Sequence, residues 1–200
     1  MARTNSRERL IEAALTLFSQ KGFDGTGVDE IAESIGIKGP TIYKYFKSKD
    51  ELLTAVAEHA EDDYNKGMGF TSNLADKIKN GSELIEFAMN SLHFTIESDS
   101  AVKMRRLAMM EQFRNKMLAE LTTSHQVVFL KGMYSKVFRN LMDLGKMPEG
   151  DSDTIALEFI APVTLMIQMV DREPYKMDEA FEMIKKHMDI FVEKYEIAMI

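Results

Sequence analysis

The sequence predicts an all-α protein in which a small N-terminal helical domain precedes a larger helical domain. Along most of the 200 residues, apolar side chains recur at intervals of three and four, and no segment shows the sustained alternation that a strand requires. Gly, Pro and Ser stand where this spacing is interrupted. These observations predict about nine helices, divided between a domain at residues 1–48 and a domain at residues 49–200.

Residues 1–48 are predicted to hold three helices around one apolar core. The helices are expected at 6–21, 28–35 and 38–45, with a tight turn at Gly36 between the second and the third. Pro40 is tolerated in the third helix because the N–H that it lacks has no partner in a first turn. The side chains expected to face inward are Leu10, Ile11, Ala14, Leu15, Phe18, Ile31, Ile35, Ile37, Ile42 and Phe46.

Residues 49–200 begin at the clearest boundary of the chain. Ser48 followed by Glu51 is a capping-box pattern, which predicts a long fourth helix starting there. Two glycines within residues 67–72 predict the end of that helix. Five more helices are predicted at about 82–97, 101–110, 115–144, 154–170 and 177–197.

Composition excludes several classes of function. The chain has no Cys, which rules out disulfides, thiolate metal sites and cysteine nucleophiles. No leader-like segment precedes the first helix, and the apolar stretch 159–170 is too short to cross a bilayer, so we expect a buried helix there and a cytoplasmic protein without a membrane partner. No nucleophile motif, phosphate loop or framed carboxylate pair occurs, so we expect neither an enzyme nor a cofactor.

The net charge of −7 is unfavourable for binding a polyanion, but it is unevenly distributed. The first 50 residues contain eight Lys and Arg against seven Asp and Glu, whereas the remaining residues contain 17 against 25. Affinity for DNA comes largely from Lys and Arg at the phosphates, so the local balance matters more than the sum. The charge therefore permits DNA binding by the N-terminal domain.

The outer face of the third helix has the chemistry of a nucleic-acid contact. Two short helices joined at Gly36 form a helix-turn-helix, which pushes the third helix outward. Its face then presents small, hydroxyl, aromatic and cationic groups, which suit base edges and phosphates in a major groove. These residues are Lys38, Gly39, Thr41, Tyr43, Lys44 and Tyr45. Packing within the small domain is the alternative for either tyrosine, and Tyr45 is expected to be the more buried.

A set of pairs and runs spread over about 45 residues is specific to one family. They are Gly22-Phe23, Ile31-Ala32, Gly36-Ile37, the run Thr41-Ile42-Tyr43-Lys44-Tyr45-Phe46, and Ser48-Lys49-Asp50-Glu51-Leu52-Leu53. In this order and spacing they resemble the DNA-binding region of the tetracycline-repressor (TetR) family of transcription regulators. The resemblance implies a helix-turn-helix DNA-binding domain followed by a ligand-binding and dimerisation domain. It also implies a homodimer on a palindromic DNA operator, acting as a repressor that a small-molecule effector releases.

The resemblance also implies which residues touch DNA. They are Thr26, Gly27, Lys38, Gly39, Pro40, Thr41, Tyr43, Lys44 and Lys49. Gly27 stands where the family usually has a Ser or Thr, so a contact from the second helix is expected through its backbone N–H. Asp29 would repel a phosphate brought very close to that helix.

The second domain is rich in Met and aromatic side chains. Thioethers and rings suit an adaptable cavity for an apolar or aromatic effector, and ordinary core filling is the alternative. The expected lining residues are Tyr64, Met68, Phe87, His93, Phe94, Met109, Phe113, Phe129, Met133 and Met166. His93 with Glu97, and His59 with Asp63, have metal-ligand spacing, but neither pair has a third ligand in the sequence, so no metal site is expected.

The last two helices carry apolar stripes that suit a helix partner. The stripes advance by three and four residues, which predicts a four-helix interface between two copies of the chain. The residues assigned to this interface are Phe159, Val163, Ile167, Phe181, Ile184, Met188 and Phe191. Either stripe facing the core of its own chain is the alternative. Two other functions also stay open, namely an enzyme or metal-dependent protein on the same fold, and a helix-turn-helix that docks a protein.

Overall fold

The computed structural model describes residues 6–68 and 74–200, and within these ranges its regular secondary structure is entirely helical. This confirms the predicted all-α class. The ten α-helices are α1 (Ser6–Lys21), α2 (Val28–Ser34), α3 (Lys49–Met68), α4 (Leu74–Lys77), α5 (Gly81–Glu97), α6 (Asp99–Glu111), α7 (Lys116–Thr123), α8 (Leu130–Asp143), α9 (Ser152–Arg172) and α10 (Met177–Lys194). Two 3₁₀ segments, Gly39–Lys44 and Pro174–Lys176, and a π-helical segment, Ser124–Phe129, complete the described elements.

The chain forms two compact units. The N-terminal unit comprises the residues up to Gly67 together with Ser98–Ala119, and the C-terminal unit comprises Met68–Glu97 and Glu120–Ile200. Helix α6 therefore belongs to the N-terminal unit although it follows α5 in the chain. The functional division at residue 48 stays a prediction.

The N-terminal unit is built on the apolar face of α1. Leu10, Ile11, Ala14, Leu15 and Phe18 are all buried, as the spacing of these residues predicts. The opposing side chains come from α2, the 3₁₀ segment Gly39–Lys44 and α3, and include Ile31, Ala32, Ile42, Phe46, Leu52, Leu53 and Val56. Ile35 and Ile37, which were also assigned to this core, are only half-buried because they flank the turn between α2 and the 3₁₀ segment.

The turn after α2 sets the direction of the segment that follows. Gly36 has φ +76°, the left-handed region that favours glycine. Its N–H donates to the carbonyl of Glu33 at 3.0 Å, and the N–H of Ile37 donates to the carbonyl of Ala32 at 3.0 Å. This is the Schellman pattern of helix ends, which satisfies two otherwise unpaired carbonyls and turns the chain sharply.

The capping box predicted for α3 is present. The N–H of Glu51 donates to Ser48 Oγ at 3.1 Å, and the Glu51 carboxylate accepts from the N–H of Lys47 at 2.6 Å. The helix continues to Met68. Most of the break predicted at 67–72 falls on residues 69–73, which lie outside the described residues.

The C-terminal unit packs α5, α8, α9 and α10 around a continuous apolar core. Rings of Tyr134, Phe138, Phe159 and Phe191 lie at its centre, with Phe138 and Phe159 centroids 5.6 Å apart and Phe159 and Phe191 centroids 4.9 Å apart. Such tilted and edge contacts are favoured by the ring quadrupoles. Phe159 and Phe191 belong to the stripes predicted to bind a second copy, so those stripes serve the core of their own chain.

Two predicted helices have a different geometry in the structure. The third helix is a 3₁₀ segment of six residues, flanked by i→i+3 bonds from the N–H of Thr41 to the carbonyl of Lys38 and from the N–H of Tyr45 to the carbonyl of Ile42, each at 2.8 Å. The helix predicted at 115–144 contains the π-helical segment Ser124–Phe129. Thr122, Thr123, Val127 and Val128 are β-branched, which weakens α-helical packing along this stretch.

Helix α9 is long and apolar. By length and composition alone it could cross a membrane, and 28% of its most apolar 18-residue stretch is buried. It contacts α8 and α10 and supplies Phe159 to the core, as the central helix of a helical unit does. The expectation of a buried helix at 159–170 is therefore only partly right, since α9 also has an exposed apolar face.

Candidate nucleic-acid interface

The 3₁₀ segment Gly39–Lys44 presents one stripe inward and two outward. Because a 3₁₀ helix has three residues per turn, residues three apart share a face. Gly39 and Ile42 are buried, whereas Pro40 and Tyr43 are exposed on the next stripe. Half-buried Thr41 and exposed Lys44 form the third stripe. The outward stripes thus combine a hydroxyl, an aromatic ring and a cation within six residues, as the sequence predicted.

Both tyrosines of this region are accessible. Tyr43 is 59% exposed, and Tyr45, which follows the 3₁₀ segment, is 37% exposed. Tyr45 is thus the more buried of the two, as expected. The anchors of the segment are instead Ile42 and Phe46, which are 1% and 2% exposed. Since these two side chains already fill the core, Tyr43 is left to face outward.

Gly39 lets the segment approach α2 closely. A Cβ atom at Gly39 would overlap Oδ1 of Asp29, and it would lie 3.4 Å from the Asp29 Cα. Gly39 is buried, which corrects its assignment to the exposed face, and it serves the spacing between α2 and the 3₁₀ segment. This close approach was not predicted, because the sequence alone does not show that Asp29 and Gly39 are neighbours.

Three lysines around the segment are exposed. The side chains of Lys38, Lys44 and Lys47 have no hydrogen-bond or ion-pair partner within residues 6–68 and 74–200. By contrast, Lys21 pairs with Glu30, and its hydrogen bond is the main reason that the pKa of this carboxyl lies below its usual value. The three ammonium groups around the outward stripes are therefore not neutralised, whereas the charge of Lys21 is neutralised by Glu30.

Lys49, the first residue of α3, is held by aromatic rings. Its Nζ lies 4.3 Å from the centroid of Phe23 and 5.9 Å from that of Phe18, and the side chain is half-buried. A cation at a helix N-terminus is disfavoured by the helix dipole, and a ring face offsets part of that cost. The contact fixes the ammonium at the start of α3 without neutralising its charge.

Thr26 and Gly27 lead into α2 with different exposures. The Thr26 side chain is buried, and its hydroxyl donates to the carbonyl of Gly22 at 2.9 Å. The carbonyl of Leu17 is a second, longer acceptor for the same hydroxyl at 3.3 Å. Gly27 is the exposed N-cap of α2, with extended backbone and no side-chain cap. Thr26 therefore stabilises the loop through its side chain, and any contact made here with a ligand uses backbone groups.

The ten residues predicted to line an effector cavity do not fall in one compact unit. Tyr64, Met109 and Phe113 belong to the N-terminal unit and the other seven to the C-terminal unit. Phe113 is 91% exposed, so its assignment to a cavity wall is corrected. Phe129 is 40% exposed, because it ends the π-helical segment rather than facing the core.

The remaining predicted effector residues lie close to the core of the C-terminal unit. Phe87, Met133 and Met166 are partly buried against it, and the ring centroids of Phe87 and Tyr134 are 6.4 Å apart. His93 is exposed and stacks on Phe181 at 4.2 Å. Phe94 is half-buried on α5, and Met68 is the last residue of α3. Residues Phe87, Met133 and Met166 are thus the best placed of the set to meet an apolar molecule.

A cleft that the sequence did not predict lies in the N-terminal unit. It has a volume of about 660 Å³, and its walls include Arg9, Ile35, His59 and Lys103. Lys103 Nζ donates to Thr16 Oγ1 at 3.1 Å and to Asp99 at 2.5 Å, so its charge is already partnered. None of the residues predicted to bind an effector lines this cleft. Because its walls come from four separate elements, no local pattern could have indicated it.

The residues predicted for a dimer surface divide into two groups. Phe159, Ile184, Met188 and Phe191 are at most 3% exposed and belong to the core of the C-terminal unit, so their assignment to a surface is corrected. Val163, Ile167 and Phe181 are half-buried at the edge of that core. The exposed apolar residues of α9 and α10 are instead Leu157, Leu165, Met183 and Ile190.

The two histidine pairs singled out by spacing are in contact in the structure. His59 Nε2 lies 3.3 Å from Asp63, and His93 Nδ1 lies 3.6 Å from Glu97. Among the described residues, no group of three or more His, Asp or Glu side chains could hold a metal ion. Each pair is accounted for as a polar contact along one helix.

Sequence relatives match the N-terminal part of the fold. Residues 10–56 match the family described as bacterial regulatory proteins, tetR family. IcaR, a negative transcriptional regulator of the biofilm operon icaADBC, is 38% identical over 53 residues in Staphylococcus epidermidis. This match covers 26% of the present chain and 29% of that protein. The chain thus matches less than a third of the length of this curated relative.

Solved structures are similar over almost the whole chain. A putative TetR-family transcriptional regulator from Mesorhizobium loti has a TM-score of 0.72 at 21% identity, covering 94% of this chain and 96% of that one. SmeT, the repressor of the Stenotrophomonas maltophilia multidrug efflux pump SmeDEF, has a TM-score of 0.71 at 20% identity, covering 96% and 91%. A complex of SmeT with triclosan has a TM-score of 0.70 at 21% identity, covering 95% and 91%. At these identities the similarity shows the fold.

The chain carries a helix-turn-helix whose 3₁₀ segment has two outward stripes. Its relatives are transcriptional regulators and not enzymes. Residues 10–56 match the tetR family of bacterial regulatory proteins, and solved TetR-family structures share the fold of almost the whole chain.

Proposed function

We propose that the protein is a repressor that binds a palindromic DNA operator as a homodimer and is released by a small apolar or aromatic effector. The observation that carries this proposal is the 3₁₀ segment Gly39–Lys44, whose two outward stripes bring Pro40, Thr41, Tyr43 and Lys44 to the surface. A helix-sized element with such groups fits the major groove of a duplex. The negative regulators IcaR and SmeT are relatives with the same type of role.

The DNA-contacting residues have different proposed roles. Thr41, Tyr43 and Pro40 contact base edges or the thymine methyl group, since hydroxyls and apolar surfaces read the major groove. Lys44, and with it Lys38 and Lys49, bind phosphates, because their ammonium groups are held near the segment without a carboxylate partner. Gly27 adds its backbone N–H. Thr26 and Gly39 act on the geometry of the loop and segment rather than through their side chains.

The homodimer is proposed to form through the exposed faces of α9 and α10. Leu157 and Leu165 on α9 are 47% and 56% exposed, and Met183 and Ile190 on α10 are 50% and 53% exposed. Val163, Ile167 and Phe181, at the core edge, extend this surface. Two copies related by a twofold axis would cover four such apolar faces and would present two recognition segments to a palindromic site.

The effector is proposed to bind in the C-terminal unit, next to Phe87, Met133 and Met166. Thioethers and rings adapt to apolar and aromatic molecules of varied shape. The triclosan complex of SmeT is a precedent in a protein of this fold. An effector that favours the state unable to bind DNA lowers DNA affinity, and DNA must weaken effector binding by the same factor.

The decisive experiment asks whether the full chain selects a duplex. The wild-type protein is incubated with a pool of random duplexes, and the recovered sequence is used in anisotropy titrations at several NaCl concentrations. We expect a palindromic sequence, and we expect Tyr43→Ala with Lys44→Ala to abolish the preference while lowering the salt slope by about 0.9 for the lost phosphate contact.

Lys136→Ala is the matched control. Lys136 is an exposed lysine of α8 and lies in the C-terminal unit. Its replacement therefore removes one charge without altering the outward stripes of the 3₁₀ segment. Its affinity and salt slope should equal those of the wild type. Recovery of no preferred duplex by the wild-type protein would overturn the proposal and would favour a helix-turn-helix that docks a protein.

A further inference from the structure

Glu111 is a buried carboxylate that the DNA-contact assignments do not use. It is the last residue of α6 and is 3% exposed. Its Oε1 accepts a hydrogen bond from the backbone N–H of Phe23 at 3.0 Å, across 88 positions of sequence. We propose that Glu111 is a positioning residue that ties α6 to the loop between α1 and α2 and, through Phe23, holds the DNA-binding cation Lys49 in place.

Gly22 is shaped to receive this carboxylate. It has φ +78°, and a Cβ atom at this position would lie 2.7 Å from Glu111 Oε1. A side chain at residue 22 would therefore both strain the backbone and push the carboxylate away from Phe23. The Gly22-Phe23 pair thus has a second partner in the fold, the carboxylate of α6, besides its role in ending α1.

Phe23 connects the carboxylate to the start of α3. Its backbone N–H is held by Glu111, and its ring lies 4.3 Å from Lys49 Nζ and 5.4 Å from the ring of Phe18. A shift of the Phe23 backbone therefore moves the ring on which the ammonium rests. The path from α6 to the proposed phosphate contact runs through one hydrogen bond and one cation–π contact.

A carboxylate is a costly group to bury, so its retention here needs a compensating partner. Arg114 supplies only part of this, because its guanidinium nitrogen lies 3.7 Å from Glu111 Oε1 and its side chain is 67% exposed. Among the described residues, the Phe23 N–H is the one group that donates a hydrogen bond to this carboxylate. A Leu would fill the same space without this cost, but it could not hold the loop.

Helix α6 directly follows α5 in the chain and has a second bond to α1. Ser98 alone separates it from α5, and α5 belongs to the C-terminal unit in which the effector is proposed to bind. A second tie to α1 is the bond from Lys103 Nζ to Thr16 Oγ1 at 3.1 Å.

The inference rests on the proposed DNA binding, so the test has one readout that needs no DNA. Backbone amide exchange of Phe23 is measured by NMR in the full-length wild type, Glu111→Gln and Glu111→Leu. Gln keeps an acceptor oxygen without the charge, whereas Leu removes the acceptor. We expect exchange at Phe23 to rise about tenfold or more in Glu111→Leu and to stay within about twofold of the wild type in Glu111→Gln.

The second readout is affinity for the duplex that the wild type selects. We expect Glu111→Leu to bind it about tenfold more weakly and Glu111→Gln to bind it within about twofold of the wild type. Glu86→Leu is the control, because Glu86 is an exposed carboxylate of α5 whose loss changes the net charge equally. If Glu111→Leu does not fold, Glu111→Ala replaces it.

The outcomes separate the two proposals. If the wild type selects no duplex, the proposed function fails, while amide exchange still tests the bond to Phe23. Unchanged exchange at Phe23 in Glu111→Leu overturns the tie itself. Faster exchange with unchanged duplex affinity shows a structural bond only, and this overturns the positioning role.

Discussion

The side chain of Asp29 lies so close to Gly39 that its Oδ1 would overlap with a Cβ atom added at Gly39. This contact sets the separation between α2 and the 3₁₀ segment, and the two residues belong to elements on either side of the turn at Gly36. Because the outward stripes depend on that separation, Gly39 is a sensitive point for DNA binding although its own side of the segment is buried.

We expect Gly39→Ala to lower the free energy of unfolding by about 1 kcal/mol and to weaken duplex binding, since the new methyl group must displace Asp29 or the segment. Asp29→Ala in the same chain should restore most of the loss. Thermal unfolding and anisotropy measure the two effects. Gly132→Ala is the control, because a Cβ there meets nothing within 4 Å, and this helical site should gain up to about 1 kcal/mol. Equal behaviour of the two variants would contradict the close approach.

Lys49→Met tests the cation held by Phe23. We expect a salt slope for duplex binding lower by about 0.9 and little change in stability, because the lost cation–π contact only offset part of the helix-dipole cost of the cation. Lys136→Met, on α8, should change neither quantity. A slope equal to that of the wild type would mean that Lys49 only packs the loop.

Leu165→Glu tests the proposed homodimer surface on α9. A carboxylate at the centre of an apolar contact is costly to desolvate, so we expect sedimentation to show monomer at concentrations where the wild type is dimeric. Leu144→Glu is a matched control, because Leu144 is 49% exposed and follows α8. A dimer that survives Leu165→Glu would place the interface elsewhere.

Phe159→Ala gives the contrasting result for the same helix. Phe159 is 1% exposed within the core, so we expect a loss of about 3–5 kcal/mol in the free energy of unfolding. Chemical denaturation of the variant measures it. A stable monomer from Phe159→Ala would support the original assignment of this residue to the interface.

Glu158→Gln tests the pH dependence of the α9–α10 contact. The bonds from Lys194 Nζ at 2.6 Å and, to a lesser degree, from Tyr195 Oη at 2.7 Å hold the pKa of Glu158 below its usual value. A carboxyl whose pKa is lower when folded stabilises the fold above its unfolded pKa, and this stabilisation is lost as the pH falls through the folded pKa.

The Glu158→Gln variant should therefore be less stable than the wild type at pH 7, and the difference should shrink as the pH falls below 4.5. Urea denaturation at several pH values measures this difference. Glu86→Gln, at an exposed site of α5, is the control for the loss of one charge. A constant difference across the range would show that Glu158 acts through packing rather than charge.

The predictions from sequence succeeded where the governing interactions are local. The apolar face of α1, the turn at Gly36 and the capping box at Ser48 each depend on residues within eight positions of one another. For the third helix the sequence placed Ile42 and Phe46 in the core but did not indicate the 3₁₀ geometry of Gly39–Lys44. The pattern therefore indicated the right face of this segment without its exact pitch.

The sequence by itself determined the helices, the helix-turn-helix and the chemistry of its outer face, because periodicity and capping report the residues next along the chain. Tertiary structure alone decided that Phe159 and Phe191 face the core, that Glu111 meets Phe23, and that Asp29 crowds Gly39. An apolar stripe in the sequence indicates only that another surface must cover it. A carboxylate that becomes buried needs a hydrogen-bond donor, which the local sequence does not identify. Which partner supplies that cover or that donor depends on contacts between residues far apart in the chain.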